Sequence, residues 1–332
     1  MDQRFWIGTY SAKGGEGLIS ATIDAAGRIE VGNAESRIVD ASYGLWCAEL
    51  QTAWFVCEQE AGQVSGWHLK NDRWVELGSV STGGAAPCFL DISPDHSLLA
   101  VANYDSGSVA VISLDSVTGA PLRRSGFLQN SGNGPDPDRQ AGPHVHCARF
   151  AEEGSTLYFT DLGLDRVFTA SVSPAGELLD KREAFSTPPG FGPRHLVAIR
   201  DEIVVNGELS GSLALLCKRE SELVLLSQLR TDESHTPGNL GGHLHVEEGL
   251  IWSSNRGADT LAAFRMQKGA LRQVTCIASG GRSPRHFARV NKHLVVAHEK
   301  DGTVSSIDAS AGEVLCEVMV PGAAFILRQL FV

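Results

Sequence analysis

A repeat constrains this chain more than any other feature. Short apolar strands that end in a small or polar residue recur along it, each followed six positions later by another apolar residue. The copies are Trp54-Phe55-Val56-Cys57-Glu58 with Val64, Leu99-Ala100-Val101-Ala102-Asn103 with Val109, and Leu157-Tyr158-Phe159-Thr160-Asp161 with Val167. Three more are Ile203-Val204-Val205-Asn206-Gly207 with Leu213, Ile251-Trp252-Ser253-Ser254-Asn255 with Leu261, and Leu294-Val295-Val296-Ala297-His298 with Val304. Phe5-Trp6-Ile7-Gly8-Thr9, with a longer glycine-rich turn to Leu18, makes a seventh. The end residues Thr9, Glu58, Asn103, Asp161, Gly207, Asn255 and His298 lie 49, 45, 58, 46, 48 and 43 residues apart. Propeller blades repeat at roughly 40 to 50 residues.

Within each copy, β-branched and aromatic runs of four to six residues alternate with turn formers such as Ser93-Pro94-Asp95, Glu153-Gly154-Ser155 and Asp301-Gly302. That is the grammar of antiparallel hairpins. No dozen residues keep a capped 3.6-residue apolar period, so helices are expected to be few. The reading is all-β: a seven-bladed β-propeller of four-stranded antiparallel blades, one domain over residues 1–332. Length alone would suggest about two domains, but one sheet cannot bury both its faces, and stacking seven around an axis covers them all. The first copy lacks the strand that precedes the others. The C-terminal run from Ala324 to Val332, after Pro321-Gly322, has the length to supply the innermost strand of the first blade and leave no open edge.

The 36 glycines fit many tight turns, and 42% hydrophobic residues suffice for a core. A net charge of −11 disfavours nucleic acid and anionic membrane as partners. It does not disfavour a small anionic substrate, because arginines inside a channel focus positive potential locally. The start Met1-Asp2-Gln3-Arg4 lacks the basic stretch and apolar run of a signal peptide, and nothing approaches 18 consecutive apolar residues, so the expected location is the cytoplasm. The seven cysteines, Cys47, Cys57, Cys88, Cys147, Cys217, Cys276 and Cys316, form no Cys-x-x-Cys pair and read as buried thiols within strand patterns.

Histidine and arginine return at one point of the repeat. Arg139-Gln140-Ala141-Gly142-Pro143-His144-Val145-His146 is answered by Gly192-Pro193-Arg194-His195, Gly242-His243-Leu244-His245 and Ser283-Pro284-Arg285-His286. His195, His243 and His286 each stand 12 residues before a strand end, and His146 stands 15 before its own, which a longer hairpin accommodates. Four blades are therefore expected to bring an imidazole to about the same height in the channel, beside Arg194 and Arg285. Glu208 and Arg256 join from the ends of second strands.

At these motifs the chain resembles the seven-bladed propeller lactonases, which include propeller-type bacterial 6-phosphogluconolactonase and fungal carboxy-cis,cis-muconate cyclase. The resemblance spans nearly the whole chain. It is most specific at Gly134-Pro135-Asp136-Pro137-Asp138-Arg139-Gln140 leading to Pro143-His144-Val145-His146, and at Thr160-Asp161-Leu162-Gly163-Leu164-Asp165-Arg166-Val167. Gly192-Pro193-Arg194-His195, Ser254-Asn255-Arg256-Gly257 and Ser283-Pro284-Arg285-His286-Phe287 add to it. The resemblance implies a site made of His146, Arg194, Glu208 and Arg256, with His144, His195, His243, Arg285 and His286 as substrate-binding candidates. It implies no cofactor and no catalytic metal. Two departures stand out: Asn206-Gly207-Glu208-Leu209 carries a glycine that relatives lack, and His243 replaces a carboxylate.

Lactone opening needs an activated water, donors for the tetrahedral oxyanion, and a proton for the departing alkoxide. Imidazole titrates nearest neutral pH, which makes His146 the candidate base. Arg194 and Arg256 suit a phosphate, a carboxylate or a polarised carbonyl. Glu208 is a candidate to orient the histidine or exchange protons. The same groups suit a cycloisomerase working in the other sense, and any single histidine at a strand start also serves simply to bond a turn carbonyl. Glu208 and Arg256 also suit a plain ion pair, and Asp161, Asp165 and Arg166 read as a structural turn network. The His144-x-His146 and His243-x-His245 pairs are a weak metal signal without companion ligands. A third function class, the non-catalytic docking propeller, would scatter its polar clusters over outer surfaces, whereas an enzyme must converge them.

Overall fold

The computed structural model describes residues 2–219 and 222–328. Seven four-stranded antiparallel sheets make up the fold. Blades two to seven run consecutively, from inner to outer strand, over residues 44–81, 87–129, 145–186, 193–230, 240–278 and 284–319. Among the described residues there is no α-helix, and Ser11–Lys13 makes one 3-10 turn. Among the described residues no helix is long and apolar enough to cross a membrane.

Blade one is completed from the other end of the chain. Ala323–Arg328 pairs antiparallel with Gln3–Thr9, with Phe5 opposite Arg328 and Ile7 opposite Ile326, as its innermost strand. The expected closure is thus made by Ala323–Arg328; residues 329–332 of the expected run lie outside the described residues. Among the described residues no blade is left without its inner strand.

The middle strands face a neighbouring blade on both sides and are apolar on both, as Leu98–Asn103 and Thr52–Cys57 show. Outer strands such as Arg73–Ser81 and Pro121–Gln129 carry most of the exposed positions. Between blades sit fully buried Trp54, Trp67, Phe89, Phe159, Phe264 and Phe287, each worth about 3 to 5 kcal/mol against truncation to alanine.

One irregularity positions the site. In six blades the inner strand carries one extra residue against its partner, between Ala323 and Phe325, Pro87 and Phe89, Val145 and Cys147, Pro193 and Leu196, Gly241 and Leu244, and Pro284 and His286. A bulge sets two residues against one and re-aims a side chain. Blade two begins its ladder just past the same point, with the Val56 N–H donating to the Tyr43 carbonyl.

Candidate active site

This shared register sorts the channel into layers. The residue just past the second strand donates its N–H to the residue before the inner strand: Tyr10 to Gly322, Tyr104 to Ala86, Leu162 to His144, Glu208 to Gly192 and Glu299 to Ser283, while in blade two Glu58 donates to Asp40, four residues before Gly44. Arg256 takes this place in blade six, opposite Leu240. These seven residues ring the mouth. Below them the bulge layer contributes Cys88, His146, Arg194 and Arg285. One residue deeper, Tyr43, Phe89, His195, His243, His286 and Phe325 close the channel.

His146 therefore does not share a level with the other three histidines, as the spacing suggested. By register its counterparts are Arg194 and Arg285, while Cys147 is the counterpart of His195 and His286. Likewise the second strand of blade two ends at Cys57, which leaves Glu58 at the rim. The extra glycine before Glu208 causes no offset. Gly207 ends its strand opposite Pro193, and Glu208 keeps the rim position. A side chain at Gly207 would meet the Phe191 carbonyl at 2.6 Å, which explains the glycine.

Glu208 is the hub. It is 4% exposed, and its carboxylate accepts from Arg139 at 2.5 Å and Arg194 Nε at 3.0 Å, and forms an ion pair with Arg256 Nη2 at 2.7 Å. His146 Nε2 stands 3.7 Å away, beyond hydrogen-bond length. Burial by itself would raise the Glu208 carboxyl, but the guanidinium groups of Arg256, Arg194 and Arg139 outweigh it and hold the group ionised, well below the usual carboxylate range. Such a group orders cations and does not shuttle protons. The expected Glu208–Arg256 pair is present, as one arm of this larger cluster.

Arg194 is buried beneath the mouth. Its Nη1 lies 2.8 Å from His195 Nε2 and donates to the Gly242 carbonyl at 2.9 Å. Burial, then Arg256, pulls its pKa down to about 10, which leaves it charged at neutral pH. His146 is buried too, and burial, then Arg194, holds its imidazole well below its ordinary value despite Glu208. It is therefore neutral near pH 7, with Nδ1 3.5 Å from Cys88 Sγ.

The remaining candidates divide by layer. His144 is half-buried at the mouth and stacks on Tyr104 with ring centres 4.4 Å apart, its Nδ1 3.0 Å from the Tyr104 carbonyl. Arg285 lies 3.6 Å from Glu58 and 3.5 Å from Glu299, against the Tyr10 ring. His195, His243 and His286 instead pack ring against ring in the closing layer, His195 edge-on to His243 with centres 5.3 Å apart and His243 tilted over His286 at 4.0 Å. Tyr43 touches all three. They wall the channel under the arginines.

Sequence reasoning missed Arg139, Glu58, Glu299, Tyr10 and Tyr104. Four of them occupy the rim position one residue past a strand end, a signal the repeat contained. Arg139 comes from the loop before blade four. There the Asp136 side chain accepts from the Asp138 and Arg139 N–H groups, and Gln140 Nε2 donates to the rim carbonyl of Leu162. That is the physical content of the proline- and aspartate-rich motif. Asp165 similarly accepts from Gly190 and Gly192 at 2.7 Å and fixes the approach to Arg194. Asp161 accepts the N–H groups of His144 and Leu164. Asp161 and Asp165 are thus turn-holders, as expected.

Ion pairs join the mouth into one network, in which Lys13, Arg139, Arg194, Arg256 and Arg285 face Glu58, Glu208 and Glu299. With His146 neutral, two positive charges in it are uncompensated. The polar groups converge, against the scattered pattern of a docking surface. A cleft of about 740 Å³ between Pro188–Phe191 and His235–Leu240 is lined by none of these charged residues. All seven cysteines are free thiols, but only Cys47, Cys88 and Cys147 are buried, and Cys276 is exposed.

The family described as "Lactonase, 7-bladed beta-propeller" matches residues 4–315. The 6-phosphogluconolactonase of Bacillus subtilis is 26% identical over 324 residues, covering 90% of this chain and 89% of that protein. A Lactobacillus plantarum protein of solved structure superposes with a TM-score of 0.88 at 26% identity, over 99% of this chain and 100% of that one. A periplasmic gluconolactonase of Pseudomonas aeruginosa has a TM-score of 0.87 at 24% identity over the whole of both chains, a likeness of fold.

Proposed function

Since the chain belongs to the seven-bladed β-propeller lactonases, we propose that it hydrolyses a small anionic lactone, with 6-phosphogluconolactone opening to 6-phosphogluconate as the favoured reaction. The observation that carries this reading is the pair of uncompensated positive charges around a buried, neutral imidazole. A phosphate is the kind of group that such a surplus of guanidinium holds.

In this reading neutral His146 takes a proton from the water that attacks the lactone carbonyl, then returns it to the ring oxygen as the acyl bond breaks. Arg194 Nη2 has no protein acceptor among the described residues, whereas its Nε and Nη1 are engaged, so it is the donor assigned to the developing oxyanion. Arg139, Arg256 and Arg285 take the anionic substituent. Glu208 holds three guanidinium groups in place before substrate arrives and so lowers the ordering cost of binding. Seven unpaired thiols favour a reducing compartment, in keeping with the cytoplasm.

The test is proton release at constant pH, with spontaneous hydrolysis subtracted, on 6-phosphogluconolactone, unphosphorylated gluconolactone and a muconate-derived lactone. Selective acceleration of the phosphorylated lactone is the expected result. No acceleration on any of the three overturns lactone hydrolysis, and turnover confined to the muconate lactone selects the cycloisomerase.

A further inference from the structure

The inner strands begin at the mouth and end on the opposite face of the disc. There, outside the cluster described above, three different donor side chains from two blades meet. Cys47 ends the inner strand of blade two, Gly44–Cys47, and Glu49 follows in the turn to Thr52. His96 lies in the Ser93–Ser97 turn that ends the inner strand of blade three, Pro87–Ile92. Cys47 Sγ, a Glu49 carboxylate oxygen and a His96 ring nitrogen all lie within 4.8 Å of one another. Among the described residues no other three histidine, cysteine or acidic side chains gather so closely.

We propose that Cys47, Glu49 and His96 form a binding site for a borderline divalent cation, Zn²⁺ foremost, that clamps blade two to blade three. Thiolate, imidazole and carboxylate together are a zinc donor set, whereas Ca²⁺ and Mg²⁺ require oxygen. With zinc bonds of about 2.0 to 2.3 Å, donors of a tetrahedron stand roughly 3.5 Å apart. The closure required is about 1 Å, and Glu49 is exposed and free to make it.

The surroundings suit that use. Cys47 is buried, and its thiol already points at Glu49 Oε2 at 3.3 Å, so two of the donors are associated without metal. Burial first, and the Glu49 carboxylate beside it, push the Cys47 thiol up, so its proton leaves only as a cation arrives. His96 is held in a left-handed conformation, φ 59°, by a turn in which its N–H donates to the Ser93 carbonyl and Asp95 accepts from Ser93 and Ser97. Neither ring nitrogen of His96 has a hydrogen bond among the described residues. On binding, Cys47 gives its proton to solvent, Glu49 and His96 bind as carboxylate and neutral imidazole, and water completes the fourth position.

The full chain, free of any affinity tag and stripped with a chelator, is titrated with Co²⁺ and then Zn²⁺ under a non-thiol reductant. One equivalent of Co²⁺ should give a thiolate-to-metal charge-transfer band that Zn²⁺ abolishes, and Zn²⁺ should raise the melting temperature. The band and the zinc-dependent shift should be lost in Cys47→Ser and His96→Ala, and Glu49→Gln, at an exposed position, should weaken affinity in a protein that folds normally. A band that survives both ligand variants, undiminished affinity in Glu49→Gln, or no band in the unmodified chain overturns the site. Lactone turnover should be the same with and without zinc and in Glu49→Gln, which separates this outcome from that of the hydrolase reading.

Discussion

Arg256 Nη2 stands 2.7 Å from Glu208 Oε2, although the two residues belong to adjacent blades and meet only because both occupy the rim position of their repeats. Around this contact the cluster resembles a salt crystal in miniature, with one buried anion inside three cations. Removing the anion should therefore cost more than any single pair suggests. Glu208→Gln leaves Arg139, Arg194 and Arg256 facing one another, and loss of one buried partner is worth about 3 to 5 kcal/mol. Urea unfolding of the variant should show that deficit. A loss under about 1 kcal/mol would mean that the arginines disperse freely and that Glu208 does not organise them.

His146→Asn keeps a polar side chain of similar reach but no titratable nitrogen. Turnover of the phosphorylated lactone should fall by about 10² to 10⁴, the usual contribution of a positioned acid or base, while the unfolding midpoint stays near that of the parent. If the subtracted rate stays within threefold of the parent, His146 does not handle the proton.

Arg139 is the most exposed guanidinium of the three on Glu208, its side chain 36% accessible, so its loss should burden the fold least. Arg139→Ala should raise KM for the phosphorylated lactone by about 10- to 150-fold, the equivalent of about 1.5 to 3 kcal/mol for a charged hydrogen bond. The unphosphorylated lactone should show no such change. Equal penalties on both substrates would assign Arg139 to the reacting ring and not to the anion.

Burial first, then neighbouring charges, holds the imidazoles of His146, His195, His243 and His286 well below their ordinary value. In the unfolded chain they titrate near about 6.5, so below that pH the unfolded state binds protons that the native state refuses. Stability should then fall with pH from about 6.5 downward, by up to about 1.4 kcal/mol per pH unit for each histidine. His286→Phe should make the decline shallower by about one proton. An unfolding free energy that stays flat between about pH 7 and 5 would contradict the buried neutral state of these rings.

The fold was legible because it is periodic: apolar runs of fixed spacing require blades, and a first copy without an inner strand requires one from elsewhere. Ala323–Arg328 supplies it. The site was legible only at motif level. A residue count from His146 to Asp161 cannot see that Val145, not His146, opposes Asp161, because a bulge adds a residue without any mark in composition. Glu299 was visible as the position one past a strand end and Glu58 was read as a strand end itself, but nothing local tells a rim carboxylate from a solvated one until Arg285 is seen between them. Arg139 acts from an irregular loop, where no period operates. The thiols misled for a related reason, since apolar neighbours in sequence do not say which strand lies outermost, and Cys276 sits on such a strand.

The seam between Gln3–Thr9 and Ala323–Arg328 also orders events during synthesis. Blades two to seven can assemble as each emerges from the ribosome, but the first must wait with an unpaired edge until Ala323–Arg328 has been translated. Tyr10, which stands at that seam and bonds Glu58 at 2.8 Å, is therefore among the last mouth residues to find its place. A nascent chain stalled short of Ala323 would have most of its framework and no finished pocket.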